Sequence, residues 1–433
     1  MPRRSSSTRL WVLKRLTVVS LALTTGGSAA PAFAQWLQWG GPNRDFSCNA
    51  TGLADKWPEG GPPTIWSSAI GPGHSSVVVD GDTLYTMCRR DEKDAVLAYN
   101  AKTGELVWEK QYDAPIREPV LTGFPLSPHS TPLVVGERIF TVGGMTEFHC
   151  LNKKTGEILW SHDLMKELGT SHVRRGYGAS PIAYQDMVIL NTGPNRGQDG
   201  PGLTAFKQDT GEVVWKSETF GGGYTSPILA EFNGEDHLIV ALGADRIGLD
   251  PSTGKIRWRT QVDFQSYGIM ATPLWIAPDK LFCSAGYGGG ARLFKIGLND
   301  EGEYAVEELW HYLKMQVTHG TVARIGDVVY GCHEGSFAPA FLMAIDLKTG
   351  KPLWRKRGFA KANVLHADGK LIILDEEGTL ALATATPEGL EVHSKVKVLE
   401  RLSWTAPTLV GTTLYLRDHH TIKALDLRAA GDS

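Results

Sequence analysis

Three absences narrow this 433-residue chain before any motif is read. Past the N-terminal stretch, no segment offers eighteen uninterrupted apolar residues, which excludes a membrane-spanning helix from the body of the chain. No charge of one sign dominates: 44 Lys and Arg against 47 Asp and Glu give a formal net charge of −3, without the basic surplus that nucleic acid requires. Cysteine is scarce. Its five copies, Cys48, Cys88, Cys150, Cys283 and Cys332, are widely spaced and none is adjacent to another. In an oxidising compartment they allow at most two disulfides, and Cys150 and Cys283 lie in apolar runs that suit buried thiols. Also missing are a Cys-x-x-Cys-His haem site, a His-Glu-x-x-His metal helix, a phosphate loop and a Gly-x-Ser-x-Gly elbow. No helical stretch stands out.

What is present begins with the N-terminus. Arg3, Arg4, Arg9, Lys14 and Arg15 precede an apolar stretch from Leu16 to Leu23, and Ala32-Phe33-Ala34 follows. This is the pattern of a secretory signal peptide over 1–34, cleaved after Ala34, and it predicts a periplasmic or secreted protein. Arg3-Arg4 is a poor match to a twin-arginine signal, and no Cys at the cut supports a lipid anchor.

The body of the chain repeats itself. Thr103/Trp108, Thr155/Trp160, Thr210/Trp215, Thr253/Trp258 and Thr349/Trp354 each mark a Thr-Gly pair with Trp five residues after the Thr. Before the pair stands a small residue, an apolar one and then Asn or Asp in most copies, as in Ala98-Tyr99-Asn100 and Ala344-Ile345-Asp346. Gly supplies positive φ and Asn or Asp bonds nearby backbone, so each copy reads as strand, turn, strand with the Trp on the second strand. A large aromatic at a fixed offset suits the packing of one sheet on the next. Alternating apolar runs fall between the copies: Ser76–Tyr85, Pro132–Val142, Pro181–Leu190, Pro227–Ala241, Pro273–Cys283, Thr321–Tyr330, Val364–Leu374 and Pro407–Leu416. Each divides into two strands, so the whole predicts an all-β, eight-bladed propeller of four-stranded antiparallel blades over 74–430. The last blade has only three strands. A lone strand around Trp66, within the N-terminal segment 35–73, is expected to complete it and close the ring. Trp310 takes the docking place in blade five although Asn299–Gly302 replaces its Thr-Gly, and blade seven has neither turn nor Trp.

The Ala-x-Asp-x-x-Thr-Gly-x-x-x-Trp pattern resembles the tryptophan-docking repeat of the pyrroloquinoline quinone (PQQ) propeller family. That family includes quinoprotein alcohol dehydrogenases and BamB-like outer-membrane assembly factors, and the resemblance covers the whole mature chain. It implies two functions. One is a non-catalytic binding or assembly scaffold. The alternative is a PQQ-dependent dehydrogenase with PQQ and calcium, which the family's enzymes hold beneath a disulfide of adjacent cysteines and between carboxylate and amide ligands. The missing adjacent cysteines, and inner-strand starts that offer no Asp or Glu, favour the scaffold, with no cofactor. A fold alone does not decide between them.

Inner-strand starts in such a ring gather at one channel mouth. Here they present His74, Ser75, His129, Ser130, Tyr177, Ser180, Tyr224, Ser226, His319 and Trp404, with Arg175 beside them, as the expected binding residues for a protein, glycan or other small molecule. Longer segments on the same face carry Arg117, Arg174 and Arg196, which suit an anionic or hydroxyl-rich ligand. The competing assignment is structural: Ser and Thr cap strand starts, His bonds backbone and Arg is solvated. A metal site of His74, His129 and His319 is not expected, because blades one, two and six are taken to stand apart, and His419 is taken to face solvent. Trp66, Trp108, Trp160, Trp215, Trp258, Trp310 and Trp354 are assigned to structural docking.

Overall fold

The computed structural model describes residues 1, 35–117, 127–170, 175–194, 198–264, 271–334, 340–400 and 402–429. The expected signal peptide beyond Met1, together with Arg174 and Arg196, lies outside the described residues. Among the described residues the chain forms eight antiparallel sheets of four strands, and one helix of five residues, Leu164–Leu168. Blade one shows the pattern: Val78–Asp80 innermost, then Thr83–Arg90, Lys93–Asn100 and, outermost, Leu106–Asp113. The middle strands read almost continuously apolar, as in Ala95-Val96-Leu97-Ala98-Tyr99, because neighbouring blades cover both of their faces. The outer strand alternates. Blade seven is complete, with Asn363–Ala367, Lys370–Leu374, Thr379–Thr386 and Gly389–Lys397.

The ring closes as the lone strand suggests. Thr64–Ala69 pairs antiparallel with Thr421–Asp426 and becomes the outermost strand of blade eight. Arg417 secures this seam from inside. It is fully buried and donates to the carbonyls of Gly71, Met87 and Asp418 and to Thr86 Oγ1 at 2.6–3.2 Å, tying blade eight to blade one. Loss of solvent pulls its guanidinium down to about 10.

The repeated Thr-Gly and Trp interlock across blades. Trp66, Trp108, Trp160, Trp215 and Trp310 donate through Nε1 to carbonyls of the next blade's turn: Ala101, Lys153, Gln208, Pro251 and Leu347. The turn's glycine lies directly beneath the indole. A Cβ on Gly254, whose φ is +72, would stand 2.4 Å from Trp215, and one on Gly104, Gly156, Gly211 or Gly350 would stand 2.5–2.8 Å from its tryptophan. Trp354 likewise donates to Thr386 O of blade seven, although that blade has no Thr-Gly turn. Trp258 is the exception: it folds over Gly248 of its own blade and donates to His237 Nδ1 at 3.2 Å.

The segment from residue 35 to 57 covers one end of the channel. Trp36 pairs with Val79 of blade one, Leu37 accepts from Val134 of blade two, and Phe46 and Cys48 bond His366 of blade seven. Ala54 donates to Leu427 beside blade eight. Arg44 reaches the carbonyls of Ser180 and Pro181 in blade three, and Trp39 Nε1 reaches Thr272 Oγ1 in blade five at 2.7 Å. These contacts lie toward the ends of the inner strands, the face that also carries the Thr-Gly turns, so the channel is stopped there. Ser180 and Thr272 precede their inner strands, so Arg44 and Trp39 extend up the channel toward the other mouth. An open cleft of about 510 Å³ beside this plug is lined by Gln38, Asn43, Arg44, Glu231 and Trp275, on the face away from the histidines.

Candidate functional site

At the opposite mouth, which residues 35–57 do not cover, the inner strands begin at loops whose polar groups cross from blade to blade. His74 N donates to Pro128 O, His129 Nε2 donates to Arg175 O at 2.8 Å, and Arg175 N donates to Tyr224 Oη at 3.2 Å. The eleven residues expected to bind divide into two sets. Ser75, Ser130, Tyr177, Ser180 and Ser226 are buried. Two of them stitch blades together, Ser180 Oγ accepting from Thr131 N and Ser226 Oγ accepting from Ser180 N, while Tyr177 Oη donates to Asn191 O within blade three. His74, His129, Arg175, Tyr224, His319 and Trp404 are only partly covered and line the opening.

Two expectations about the histidines are corrected. Blades one, two, six and eight do meet at the mouth. His129 stacks on His74 with ring centroids 5.2 Å apart, His74 stacks on Trp404 at 5.3 Å, and Trp404 stacks on His319 at 4.4 Å. Blades two and six face each other in a ring of eight, so the column runs halfway round the mouth; spacing along the chain misjudged how near the axis brings strand starts. His419 does not face solvent. It is 7 % exposed and tilts against His74 at 4.6 Å, with the two Nε2 atoms 3.1 Å apart. Loss of solvent, reinforced by the other rings, holds His74 well below its ordinary value; loss of solvent and then the Arg417 cation take His419 down to about 4.

Carboxylates also reach the mouth, from the loops between second and third strands, where inner-strand starts gave no hint of them. Glu334 accepts from the backbone N–H of His319 and Gly320, from Thr318 Oγ1 and from His319 Nδ1 at 3.1 Å. Burial would raise it, but the His319 and Thr318 bonds outweigh this and keep it low. Glu376 accepts from Trp404 Nε1 at 2.9 Å and from Lys361 Nζ at 3.1 Å, and Lys361 also sits over the indole. The signal that could have found them is the acidic residue just past an apolar second strand, Gly331-Cys332-His333-Glu334 and Leu374-Asp375-Glu376.

Beside the mouth, between blades one and two, lies a second acidic group. Asp94 and Glu147 are buried, and a Cβ on Gly143 would stand 2.7 Å from Glu147 Oε2, 3.0 Å from Asp94 Oδ2 and 3.0 Å from Tyr112 Oη. Asp94 is paired with Arg89 at 3.0 Å. Arg117 commits itself to Asp163 through two bonds of 2.8 Å, which leaves Glu147 3.5 Å from that guanidinium with no hydrogen bond from another described residue. Arg117 is therefore not the solvated or ligand-facing cation expected of it. Desolvation pushes Glu147 up to about 7. A raised carboxyl binds its proton more tightly in the folded than the unfolded chain, so its stabilisation is present below about pH 4.5 and is lost as pH climbs through about 7. Glu147→Gln is expected to match the native protein at pH 4 and exceed it at pH 8 by up to about 3 kcal/mol. Denaturant titrations at both pH values check this, and equal stability at pH 8 would contradict it.

All five cysteines are free thiols. No helix of the described residues is long and apolar enough to cross a membrane.

Comparison with known proteins places this geometry. The sequence profile of the family described as outer membrane protein assembly factor BamB matches residues 59–142 and 125–334, more than half of the chain. Curated protein sequences return no match. Among solved structures, BamB from Moraxella catarrhalis aligns with a TM-score of 0.57 at 18 % identity, over 84 % of this chain and 97 % of that one. Quinohemoprotein alcohol dehydrogenase from Comamonas testosteroni aligns with 0.63 at 13 %, over 92 % and 81 %. A europium-containing methanol dehydrogenase gives 0.62 at 12 %, over 90 % and 89 %. At such identities the likeness is one of fold.

Proposed function

Because the chain belongs to the family described as outer membrane protein assembly factor BamB, we propose that it is an exported, non-catalytic scaffold that binds a partner protein, glycan or other small molecule at its open channel mouth. The observation that carries this reading is the asymmetry of the channel. One end is stopped by residues 35–57, whereas the other presents His129, His74, Trp404 and His319 as stacked, partly exposed rings, flanked by Tyr224 and Arg175. Aromatic faces ringed by hydrogen-bonding groups suit a sugar ring or an aromatic side chain.

The residues present do not suit PQQ and calcium, and this supports the non-catalytic reading. Rings already stack on one another along the mouth, and Arg44 and Trp39 extend up the channel from below. Of the carboxylates near the mouth, Glu334 and Glu376 are engaged with His319, Trp404 and Lys361 and Asp94 with Arg89, while Glu147 is buried between blades one and two instead of standing open at the channel. Export rests on the signal-like residues 1–34, and a periplasmic or secreted location follows from it.

The reading is tested on protein purified from its own host. Native mass spectrometry is expected to show a retained organic molecule or partner that is lost from His129→Ala and Arg175→Ala, with the melting temperature of each variant within about 2 °C of native. Purified protein supplied with PQQ and calcium is expected to reduce no dye with alcohols or sugars. Dye reduction, or identical retention by the variants, would overturn the scaffold reading.

A further inference from the structure

The His74 and His419 rings approach nitrogen to nitrogen, and that approach has the dimensions of a shared ion. Two imidazole nitrogens bound at about 2.0–2.1 Å to one metal stand about 2.9 Å apart when the angle at the metal is square and about 3.4 Å apart when it is tetrahedral. The observed separation of Nε2 atoms is 3.1 Å, between these limits. From this geometry we propose that His74 and His419 are the two protein ligands of a divalent transition-metal site at the channel mouth, of the copper, nickel or zinc type.

Several further observations agree. Both ligands are imidazoles, the donor that these ions take in preference to calcium or magnesium. Without metal the two Nε2 atoms share one proton in a hydrogen bond, which the ion would displace; His74 Nδ1 has no hydrogen-bond partner among the described residues and can take up the ring's proton, which frees its Nε2 lone pair. His129, by contrast, spends its Nε2–H on Arg175 O and is not available as a ligand through that atom. His419 is held in place by its neighbours: Asp418 accepts from the backbone N–H of His420 and Thr421, and Arg417 bonds the Asp418 carbonyl. The seam of the ring thus fixes one ligand, and the start of blade one fixes the other.

No three His, Cys, Asp or Glu side chains among the described residues close on a single point as a metal cage. Water or a ligand donor atom therefore completes the coordination, and such an open position would let the ion take part in capture. In this form the inference rests on the reading of the mouth as a binding site and names one component of what binds there.

The test uses copper(II) alone on the purified, chelator-stripped full chain. One equivalent is expected to bind with an electron paramagnetic resonance spectrum showing two imidazole nitrogens. Competition with a chelator should show at least about tenfold weaker binding in His74→Ala and in His419→Ala, but not in His311→Ala on an outer strand. If either mouth variant fails to fold, the nitrogen count of the native protein decides. A spectrum without a pair of imidazole nitrogens, or native affinity in the folded mouth variants, overturns the site. Retention of the organic molecule is measured without added metal, so failure of the copper site leaves the scaffold reading standing, and loss of retention does not remove the copper site.

Discussion

Trp215→Ala is expected to destabilise the protein by about 3–5 kcal/mol, the usual cost of emptying a buried tryptophan site. The indole packs on Gly254 of blade four and its Nε1–H satisfies Pro251 O, so truncation opens a cavity between two blades and leaves a carbonyl without its donor. The decisive part is the coupling. Gly254→Ala carries two penalties, a left-handed backbone at φ +72 that costs a side chain roughly 1–2 kcal/mol, and a Cβ 2.4 Å from the ring. In the Trp215→Ala background the second penalty vanishes, and the double variant should be more stable than the sum of the single ones by on the order of 1–2 kcal/mol. A double-mutant cycle by denaturant unfolding measures this directly, and strict additivity would show that glycine and indole do not act as a unit.

Replacement of Arg417 by Met should cost about 2–4 kcal/mol. Two effects oppose each other here. The cation is fully buried with no ion pair among the described residues, and its depression to about 10 shows that charge to be unfavourably placed, so its removal gives some energy back. Against this, the carbonyls of Gly71, Met87 and Asp418 and the hydroxyl of Thr86 lose their donor in a dry setting. Several orphaned acceptors outweigh one relieved charge. Because the bonds span blade one and blade eight, limited proteolysis of the variant should cut first near 64–72, where the ring closes. A change under about 1 kcal/mol, or cleavage elsewhere first, would contradict the assignment of Arg417 as the seam's bolt.

The repeats made the fold legible because they record local chemistry. Thr-Gly at a turn and Trp on the following strand are set by residues a few positions apart, and even the three-stranded last blade pointed to Trp66 as its missing partner. The departure in blade four shows the limit. Trp258 carries the motif yet lies over its own Gly248, whereas Trp354 docks on Thr386 O of blade seven, which has no Thr-Gly turn, so the motif of one blade does not decide where its indole goes. The mouth was less legible for a related reason. His74, His129 and His319 were visible as strand starts, but their mutual distance depends on how tightly eight sheets curl, a property of the ring as a whole. His419, Glu334 and Glu376 come from later loops of their blades, and only the closed ring brings them beside the first set. Ser180 and Ser226 show the reverse: residues that looked available are consumed by inter-blade hydrogen bonds.

The pairing of Thr64–Ala69 with Thr421–Asp426 bears on the order in which the molecule can be made. A ribosome delivers the first of these strands some 350 residues before its partner exists, and until then the strand has an unpaired edge and an apolar Trp66 with only blade one to rest against. If the chain crosses a membrane N-terminus first, that interval falls partly on the far side, where the growing arc of blades offers open sheet edges at both ends. The plug has its own timing problem, since its contacts in blades seven and eight arrive last. Closure of this ring therefore waits on Thr421–Asp426, and until that strand arrives both ends of the arc remain exposed edges.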